Sequence, residues 1–545
     1  MLTENSLKLE KGSKVIYETL KNLGVDTIFG YPGGIVLDLY NELYEQADIK
    51  HILTRHEQSA VHAAEGYARE TGKCGVVLVT SGPGATNTVS GIVNAYMDGY
   101  PIVVITGQVF RNLIGKNAFQ EANICDMVKS CTKKVYQITS AGQIQQVLKD
   151  AFIIANSGKK GPVVVDIVKD VFQEKITFDN TGFSVSETIN KNSDFDISGI
   201  VKKIISSQKP VIVSGGGVKH SKAEDELLKI SEKYSIPVVN TMMGLGTFPQ
   251  SNKNYLGMIG IFGDNAANEI VEDSDLVISL GARFNDRILC KFNNINLSEK
   301  FIQIDINKSE ISNFVKASEF VVADIKEFLK KLDTELERHK CSFENREKQI
   351  PEFKRHNTVR TRKSNMLHSF EVIRKIEEFT KEKELTFTTE VGQHQLWAVQ
   401  NLNLYKNRKI FVSGASGTMG FGLPAAIGAA AANPDKNIVC ITGDGSFQMG
   451  LHELATCKDY NLNIKIMILN NGYLGMVRQL QEKFCNARYS ETKISNPDFV
   501  TLAKSYGLNA ERVTNIENID TALKHSFETN GTYLIDFVVE PMEVL

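Results

Sequence analysis

Two short turns far along the chain carry the residue types that bind a divalent cation and a diphosphate. The apolar run Asn437–Thr442 ends in Gly443-Asp444-Gly445-Ser446, and the run Ile464–Leu469 ends in Asn470-Asn471-Gly472. Asp444 and Asn471 stand 27 positions apart, room for one helical crossing between neighbouring parallel strands. Both turns are therefore expected at the carboxyl edge of one sheet, where open α/β folds bind ligands. A carboxylate from Asp444, an amide oxygen from Asn471 and a backbone carbonyl, placed at Tyr473, are hard donors suited to Mg²⁺, with phosphate oxygens completing the octahedron. Gly443 and Gly445 let the backbone approach a diphosphate, and amides at the helix start by Ser446 meet its charge. Either turn alone is ordinary βα chemistry. The pair at this spacing is not.

A second constellation lies near the N-terminus. Arg55-His56-Glu57-Gln58 precedes a helical pattern over Ala60–Glu70. An isolated glutamate there would need no more explanation than the helix dipole. Its surroundings change that reading: Gly30-Tyr31-Pro32-Gly33-Gly34 lies upstream, and Thr80-Ser81-Gly82-Pro83-Gly84-Ala85-Thr86-Asn87 and Thr106-Gly107-Gln108 lie downstream. With Ala118-Phe119-Gln120-Glu121, Gly161-Pro162-Val163 and the C-terminal turns, these segments resemble the acetohydroxyacid synthase (acetolactate synthase) family of thiamine-diphosphate enzymes, over nearly the entire chain.

The resemblance implies a role for each matching residue. Glu57 would hydrogen-bond the pyrimidine ring of the cofactor; a carboxylate there favours the imino tautomer, whose nitrogen removes the thiazolium proton. Thus the cofactor supplies the base, and no Ser-His-Asp or Cys-His constellation is needed. Met419, in Gly417-Thr418-Met419-Gly420, would wedge the cofactor into its bent shape, although a methionine there could equally fill core. Gly33, Ser81, Gln120, Gln393, His394 and Met476 complete the implied cofactor contacts, with Gln120 and Lys133 at the mouth of the channel. The pyrimidine and diphosphate motifs are about 390 residues apart. The family implies a homodimer or homotetramer in which two chains complete each other's sites, and often a separate regulatory subunit.

The middle of the chain resembles the family's FAD-binding positions, where flavin is kept without redox work. A strand ends in Gly215-Gly216-Gly217; further matches are Thr241, Met258, Gly281, Arg283, Asp305 and Asp324, with Lys159 from the first third. Asp305, after a strand, suits a ribose hydroxyl, and Arg283 suits a phosphate. Two positions depart from the family pattern. Ile259 replaces a histidine, and Lys159 replaces an arginine and so loses bidentate geometry.

The resemblance also implies the reaction: decarboxylation of pyruvate and transfer of its two-carbon unit to a second 2-oxo acid, in branched-chain amino acid biosynthesis. Arg287 would pair with the acceptor carboxylate, while Phe119, Met258 and Val391 line the pocket. Leu480 stands where the family places a tryptophan favouring 2-oxobutyrate, and the only tryptophan is Trp397. With Ile259 and a chain ending soon after Pro541-Met542, this keeps open another carbonyl acceptor, such as a keto-sugar nucleotide.

These motifs need elements to hold them. Continuous β-branched runs recur at Val76–Thr80, Ile102–Thr106, Val163–Val168, Val211–Ser214, Leu276–Leu280, Ile438–Thr442, Ile464–Leu469 and Tyr533–Val539. Such runs read as strands covered on both faces, hence an α/β fold of mostly parallel sheets with helices on both faces. Polar stretches at 181–196 and 339–365 read as linkers, giving domains at 1–180, 190–340 and 366–545. The first and third could be structural duplicates. The uncharged stretch Phe411–Pro434 reads as a packed loop and buried helix rather than a membrane span, being rich in Gly, Ala and Ser and containing Pro424. A net charge of −2 gives no footprint for nucleic acid or an anionic membrane. Eight cysteines without a C-x-x-C pair, and no signal-peptide pattern at the N-terminus, point to free thiols and a cytoplasmic location.

Overall fold

The computed structural model describes residues 7–179, 195–292, 296–357, 360–362 and 364–545. Three six-stranded parallel sheets organise the chain. The first contains β2 (Thr27–Tyr31), β3 (Lys50–Leu53), β4 (Gly75–Val79), β5 (Ile102–Gln108), β6 (Lys134–Ile138) and β7 (Pro162–Val168), in the order β3-β2-β4-β5-β7-β6. A short antiparallel pair, β1 (Leu7–Lys11) with β8 (Lys175–Asp179), flanks it in sequence. The second sheet contains β9 (Pro210–Ser214), β10 (Val238–Asn240), β11 (Tyr255–Met258), β12 (Leu276–Leu280), β13 (Phe301–Asp305) and β14 (Glu319–Val322), ordered β11-β10-β9-β12-β13-β14. The third contains β15 (Leu385–Thr389), β16 (Arg408–Val412), β17 (Ile438–Gly443), β18 (Ile464–Asn470), β19 (Asn509–Val513) and β20 (Tyr533–Val538), ordered β16-β15-β17-β18-β20-β19.

The eight apolar runs are all strands, most of them central. Every residue of β4, β5, β7, β9 and β12 is buried, as helices on both faces require. The strands that the sequence pattern did not single out include the edges. Lys50–Leu53, Lys134–Ile138, Glu319–Val322 and Asn509–Val513 are partly exposed and mix polar with apolar residues.

Counted in chain order within each sheet, the first and third share one strand order, 2-1-3-4-6-5. They are structural duplicates. The middle sheet follows 3-2-1-4-5-6, which places a topological switch point between β9 and β12.

The chain divides into two compact units. Met1–Asn190, Thr386–His394 and Phe411–Met542 form one; Lys191–Leu385, Gln395–Ile410 and Glu543–Leu545 form the other. In the first unit the Glu57–Thr71 helix crosses the Gly422–Ala432 helix in backbone contact. A Cβ on Gly66 would overlap the Ala425 carbonyl, and one on Gly428 the Ala63 carbonyl. Gly422 to Ala430 is buried throughout, so the uncharged stretch is a packed helix. Among the described residues no helix is long and apolar enough to cross a membrane.

Within the expected linker at 339–365, part of the described chain is helical. It contains helices Glu344–Glu347 and Ile350–Arg355, with Ile350 buried. Arg346 is fully buried, donating to the Ile270 carbonyl at 2.9 Å and pairing with Asp273 at 2.5 Å. A polar stretch can be structural when one buried arginine pairs with a buried carbonyl and a carboxylate. The other expected linker, 181–196, lies almost wholly outside the described residues.

Candidate active site

Glu57 is the first residue of its helix, after His56, whose ring Nδ1 accepts the Gln58 amide at 3.1 Å. The Glu57 carboxylate accepts from Asn87 Nδ2 at 3.0 Å, which turns it toward the loop after β4. Glycines crowd that loop. A Cβ on Gly33 or Gly84 would strike the Thr80 side chain at 2.5 or 2.6 Å, and one on Gly84 would stand 3.5 Å from Glu57 Oε1. The result is a narrow cradle walled by Gly33, Thr80, Gly84 and Glu57. Thr80 Oγ1 and Ser81 Oγ are buried there without hydrogen-bond partners. Buried polar atoms are usually paired, so two orphan hydroxyls beside a carboxylate fit a polar, heteroaromatic ligand. The Gln120 loop lies against Gly82: a Cβ on Gly82 would meet the Gln120 backbone at 2.8–2.9 Å. Gln120 itself has φ +58°, a strained conformation for a non-glycine residue.

In the third sheet, Asp444 follows β17 and is almost fully buried. Its Oδ2 accepts from Gly472 N and Asn496 Nδ2, each at 2.7 Å. Burial raises this carboxyl above the usual range, while those hydrogen bonds pull the other way. A cation against it would relieve the desolvation. Asn471 Oδ1 accepts the Tyr473 amide at 3.0 Å, and Asn471 Nδ2 lies 3.5 Å from Gln393 Oε1. One carboxylate and one amide are too few for a closed cation cage. They suffice for Mg²⁺ only when phosphate oxygens contribute.

Five predicted cofactor residues, Gly443, Gly445, Ser446, His394 and Met419, converge at the same turns. A Cβ on Gly443 would stand 2.7 Å from His394 Nδ1, and one on Gly445 would stand 2.8 Å from Leu474, 3.3 Å from Ile494 and 3.8 Å from Met419 Cε. Val391 stands 3.7 Å from the same notional atom on Gly417, and its carbonyl is 3.5 Å from Ser446 Oγ. Glu390 organises this corner: it accepts the Gly422 amide at 2.6 Å and the Thr442 hydroxyl, and lies 3.5 Å from His394 Nε2. Any side chain on Gly443 or Gly445 would collide with these neighbours.

In the second unit, Gly215 and Gly217 follow β9 and Gly281 follows β12, on the two sides of the switch point. They pack backbone on backbone; a Cβ on Gly217 would lie 2.6 Å from Gly281 Cα. Gly216 faces Met243, at 3.3 Å from that position. Thr241 accepts the Gly244 amide at 3.2 Å, and Asp305, ending β13, accepts the Asn307 amide at 2.8 Å. Arg283 lies 4.0 Å from Glu310. This donor set fits a dinucleotide at a switch point.

The chain's similarities agree with this geometry. Residues 10–127 match the thiamine pyrophosphate enzyme N-terminal TPP binding domain, 197–332 the central domain and 390–537 the C-terminal TPP binding domain. An acetolactate synthase large subunit from Lactococcus lactis subsp. lactis (strain IL1403) is 40% identical over 526 residues, covering 95% of this chain and 91% of that protein. One from Cyanidium caldarium is 40% identical over 561 residues, covering 99% and 95%. One from Haemophilus influenzae is 37% identical over 550 residues, covering 98% and 96%. The chain belongs to the acetolactate synthase family.

Other residues assigned by family resemblance have surroundings of their own. Lys133 donates to the carbonyls of Ile154 and Ser157 at the end of the Ile144–Asn156 helix, and burial lowers its ammonium to about 8. In this chain that lysine closes a helix terminus. Asp324 caps the Ile325–Arg338 helix, its Oδ1 accepting the Lys326 and Glu327 amides at 2.9 and 3.3 Å. Lys159 lies in the first unit, 5.5 Å over the Tyr96 ring. Met258 is buried, with its amide on Asp264 at 2.8 Å, and the Ile259 side chain is core. Arg287 is 71% exposed beside Asp286, and Phe119 is 88% exposed. Met476 and Leu480 share the Gly475–Phe484 helix, with Leu480 partly exposed.

Three positioning residues of this acetolactate synthase relative escaped the sequence reading. Asn496 joins the turns after β17 and β18, donating to Asp444 and, at 2.9 Å, to Asn470 Oδ1. Glu390 is described above. Asp166, fully buried in β7, accepts from Thr106, Gln108 and Gln137 at 2.8, 3.2 and 3.0 Å, and Gln108 in turn donates to the Ala122 carbonyl beside the Gln120 loop. The available signals were a lone acid inside Val-Val-Val-Asp-Ile-Val and the Asn-Pro-Asp before the last third's helix.

Proposed function

We propose that this chain decarboxylates pyruvate and joins the two-carbon unit to a second 2-oxo acid, forming acetolactate when that acid is pyruvate. The observation that carries the reading is Glu57 beside two orphan hydroxyls in one sheet, with Asp444 and Asn471 in its duplicate, in a relative of acetolactate synthase large subunits. When bound, thiamine diphosphate supplies the electron sink for cleaving a 2-oxo acid. Asp444, Asn471 and the Tyr473 carbonyl would hold Mg²⁺, and Gly443, Gly445, Ser446, Gln393 and His394 would hold the diphosphate. Glu57 would hold its proton against the pyrimidine nitrogen. Pyruvate's C1–C2 bond breaks with loss of carbon dioxide, and the retained electron pair bonds the acceptor's carbonyl carbon. Arg287 would pair with the acceptor carboxylate, and Leu480 and Val391 would shape its pocket.

The switch-point glycines, Arg283 and Asp305 support FAD in the second unit as a non-redox component. Exposure of Phe119, Leu37 and Met449 near the two cradles supports a second copy covering them, hence a homodimer at least. The test is pyruvate turnover by purified protein with thiamine diphosphate, Mg²⁺ and FAD, with products identified by mass. Acetolactate at ordinary enzymatic rates is the expected result. Carbon dioxide release that depends on another added carbonyl compound, without acetolactate, would overturn the acceptor assignment. Flavin absorbance of the protein as purified tests the FAD site separately.

A further inference from the structure

The loop that carries Met419 runs from Ser413 to Gly420 between β16 and the Gly422–Ala432 helix, and has no regular structure of its own. Its sequence, Ser-Gly-Ala-Ser-Gly-Thr-Met-Gly, offers few side chains to anchor it, and Gly417 and Gly420 take φ of +62° and +78°. Such a segment loses much conformational entropy when ordered, so something outside it must hold it.

The anchor comes from helices of the first sheet. Asp98 accepts the Gly414 amide on Oδ2 at 3.0 Å and the Ala415 amide on Oδ1 at 2.9 Å. Asn94, one turn earlier on the Val89–Asp98 helix, accepts Ser413 Oγ at 2.6 Å and Thr418 Oγ1 at 3.1 Å. Ser413 Oγ in turn accepts the Thr418 amide at 2.7 Å. Arg69 donates to the Val412 carbonyl at 2.9 Å. Behind these contacts Arg69 pairs with Asp98 at 2.8 Å and with Glu65, all three side chains no more than 2% exposed, and Asn94 Nδ2 donates to Glu65 at 2.9 Å. Two buried carboxylates thus face one guanidinium. The loop amides supply the remaining donors that the excess negative charge requires.

We propose that Asp98, together with Asn94 and Arg69, is a positioning residue that sets the Met419 loop over the Gly443–Ser446 turn before any cofactor arrives. Arg69 lies in the last turn of the helix that Glu57 begins, about 18 Å away along its axis. One rigid helix therefore places both the pyrimidine-side carboxylate and the anchor of the wedge loop of its own chain. The consequence for cofactor binding rests on the functional reading above; the ordering of the loop does not.

The test is hydrogen exchange of the full-length protein without cofactor, paired with calorimetric titration by thiamine diphosphate and Mg²⁺. In Asp98→Asn, peptides spanning Val412–Thr418 are expected to exchange at least tenfold faster, while peptides of the Glu57–Thr71 and Gly422–Ala432 helices stay within twofold. The cofactor Kd should rise about tenfold, and Asp98→Glu should recover part of both effects. Ser413→Ala, which leaves the buried charges intact, should move both readouts the same way by a smaller factor. Unchanged loop exchange, exchange rising equally in both helices, or a loosened loop with an unchanged Kd would each overturn the proposal. Failure of the unsubstituted protein to bind cofactor would sink the functional reading instead, and the exchange pattern would still report on the anchor.

Discussion

At the scale of single residues, the chemistry divides between groups that would touch cofactor and groups that aim them. Glu57 is of the first kind, and its one resolved partner, Asn87, leaves the second carboxylate oxygen facing the Gly84 cradle. Glu57→Gln should bind thiamine diphosphate within about tenfold of the unsubstituted protein while kcat falls roughly 10²–10⁴-fold. Near-normal turnover in stopped and steady-state assays would remove Glu57 from the mechanism. Leu480 concerns selectivity. In Leu480→Trp the added aromatic wall should shift preference toward 2-oxobutyrate over pyruvate as acceptor by about tenfold or more. Competition between the two acids, read as a product ratio, decides it; an unchanged ratio would place Leu480 outside the acceptor pocket. Both residues were legible in the sequence because their motifs are local. Asn496 was not, since it reaches Asp444 across 52 positions of chain and sits in no glycine-rich turn.

At the scale of elements, the crossing of the Glu57–Thr71 and Gly422–Ala432 helices explains an otherwise odd composition. Eleven uncharged residues, mostly Ala and Gly, form one helix because its partner approaches to backbone contact at Gly66 and Gly428. Gly428→Ala would normally favour a helix by roughly 1 kcal/mol. Here the new methyl overlaps the Ala63 carbonyl, and overpacking should cost about 1–3 kcal/mol beyond that gain. The urea midpoint should therefore fall; a rise would mean that the helices can separate freely. Apolarity along the chain foretold this helix, whereas the identity of its partner required the fold.

At the scale of the whole molecule, the half-buried His51 and the fully buried His62 make stability depend on acid. Desolvation lowers His51 to about 4, and lowers His62 to about 3 with the Arg69 charge assisting. The unfolded chain protonates both near pH 6.5. Unfolding therefore takes up protons below that value, so this stability is complete at neutral pH and lost as pH falls from about 6.5 toward 4. Each site contributes a slope of about 1.4 kcal/mol per pH unit within its window. Urea midpoints measured from pH 7.5 to 4.5 should show this decline, and His51→Gln should make it shallower. A variant with an undiminished slope would show that acid sensitivity arises elsewhere.

The sequence by itself determined the fold class, eight strands and the two glycine-rich turns proposed for metal and diphosphate, because each is written in a short window. A strand covered on both faces must be apolar throughout, and a turn approached by a ligand must be glycine-rich. Tertiary structure alone decided three other matters. The duplicate strand order of the first and third sheets depends on crossovers that leave no local pattern. Arg346, alone among the charged residues of its short helix, is buried because the Ile270 carbonyl and Asp273 on a distant helix pair with it. The Met419 loop is held by Asp98, more than three hundred positions away, since burial makes a carboxylate seek whichever amides the fold brings to it.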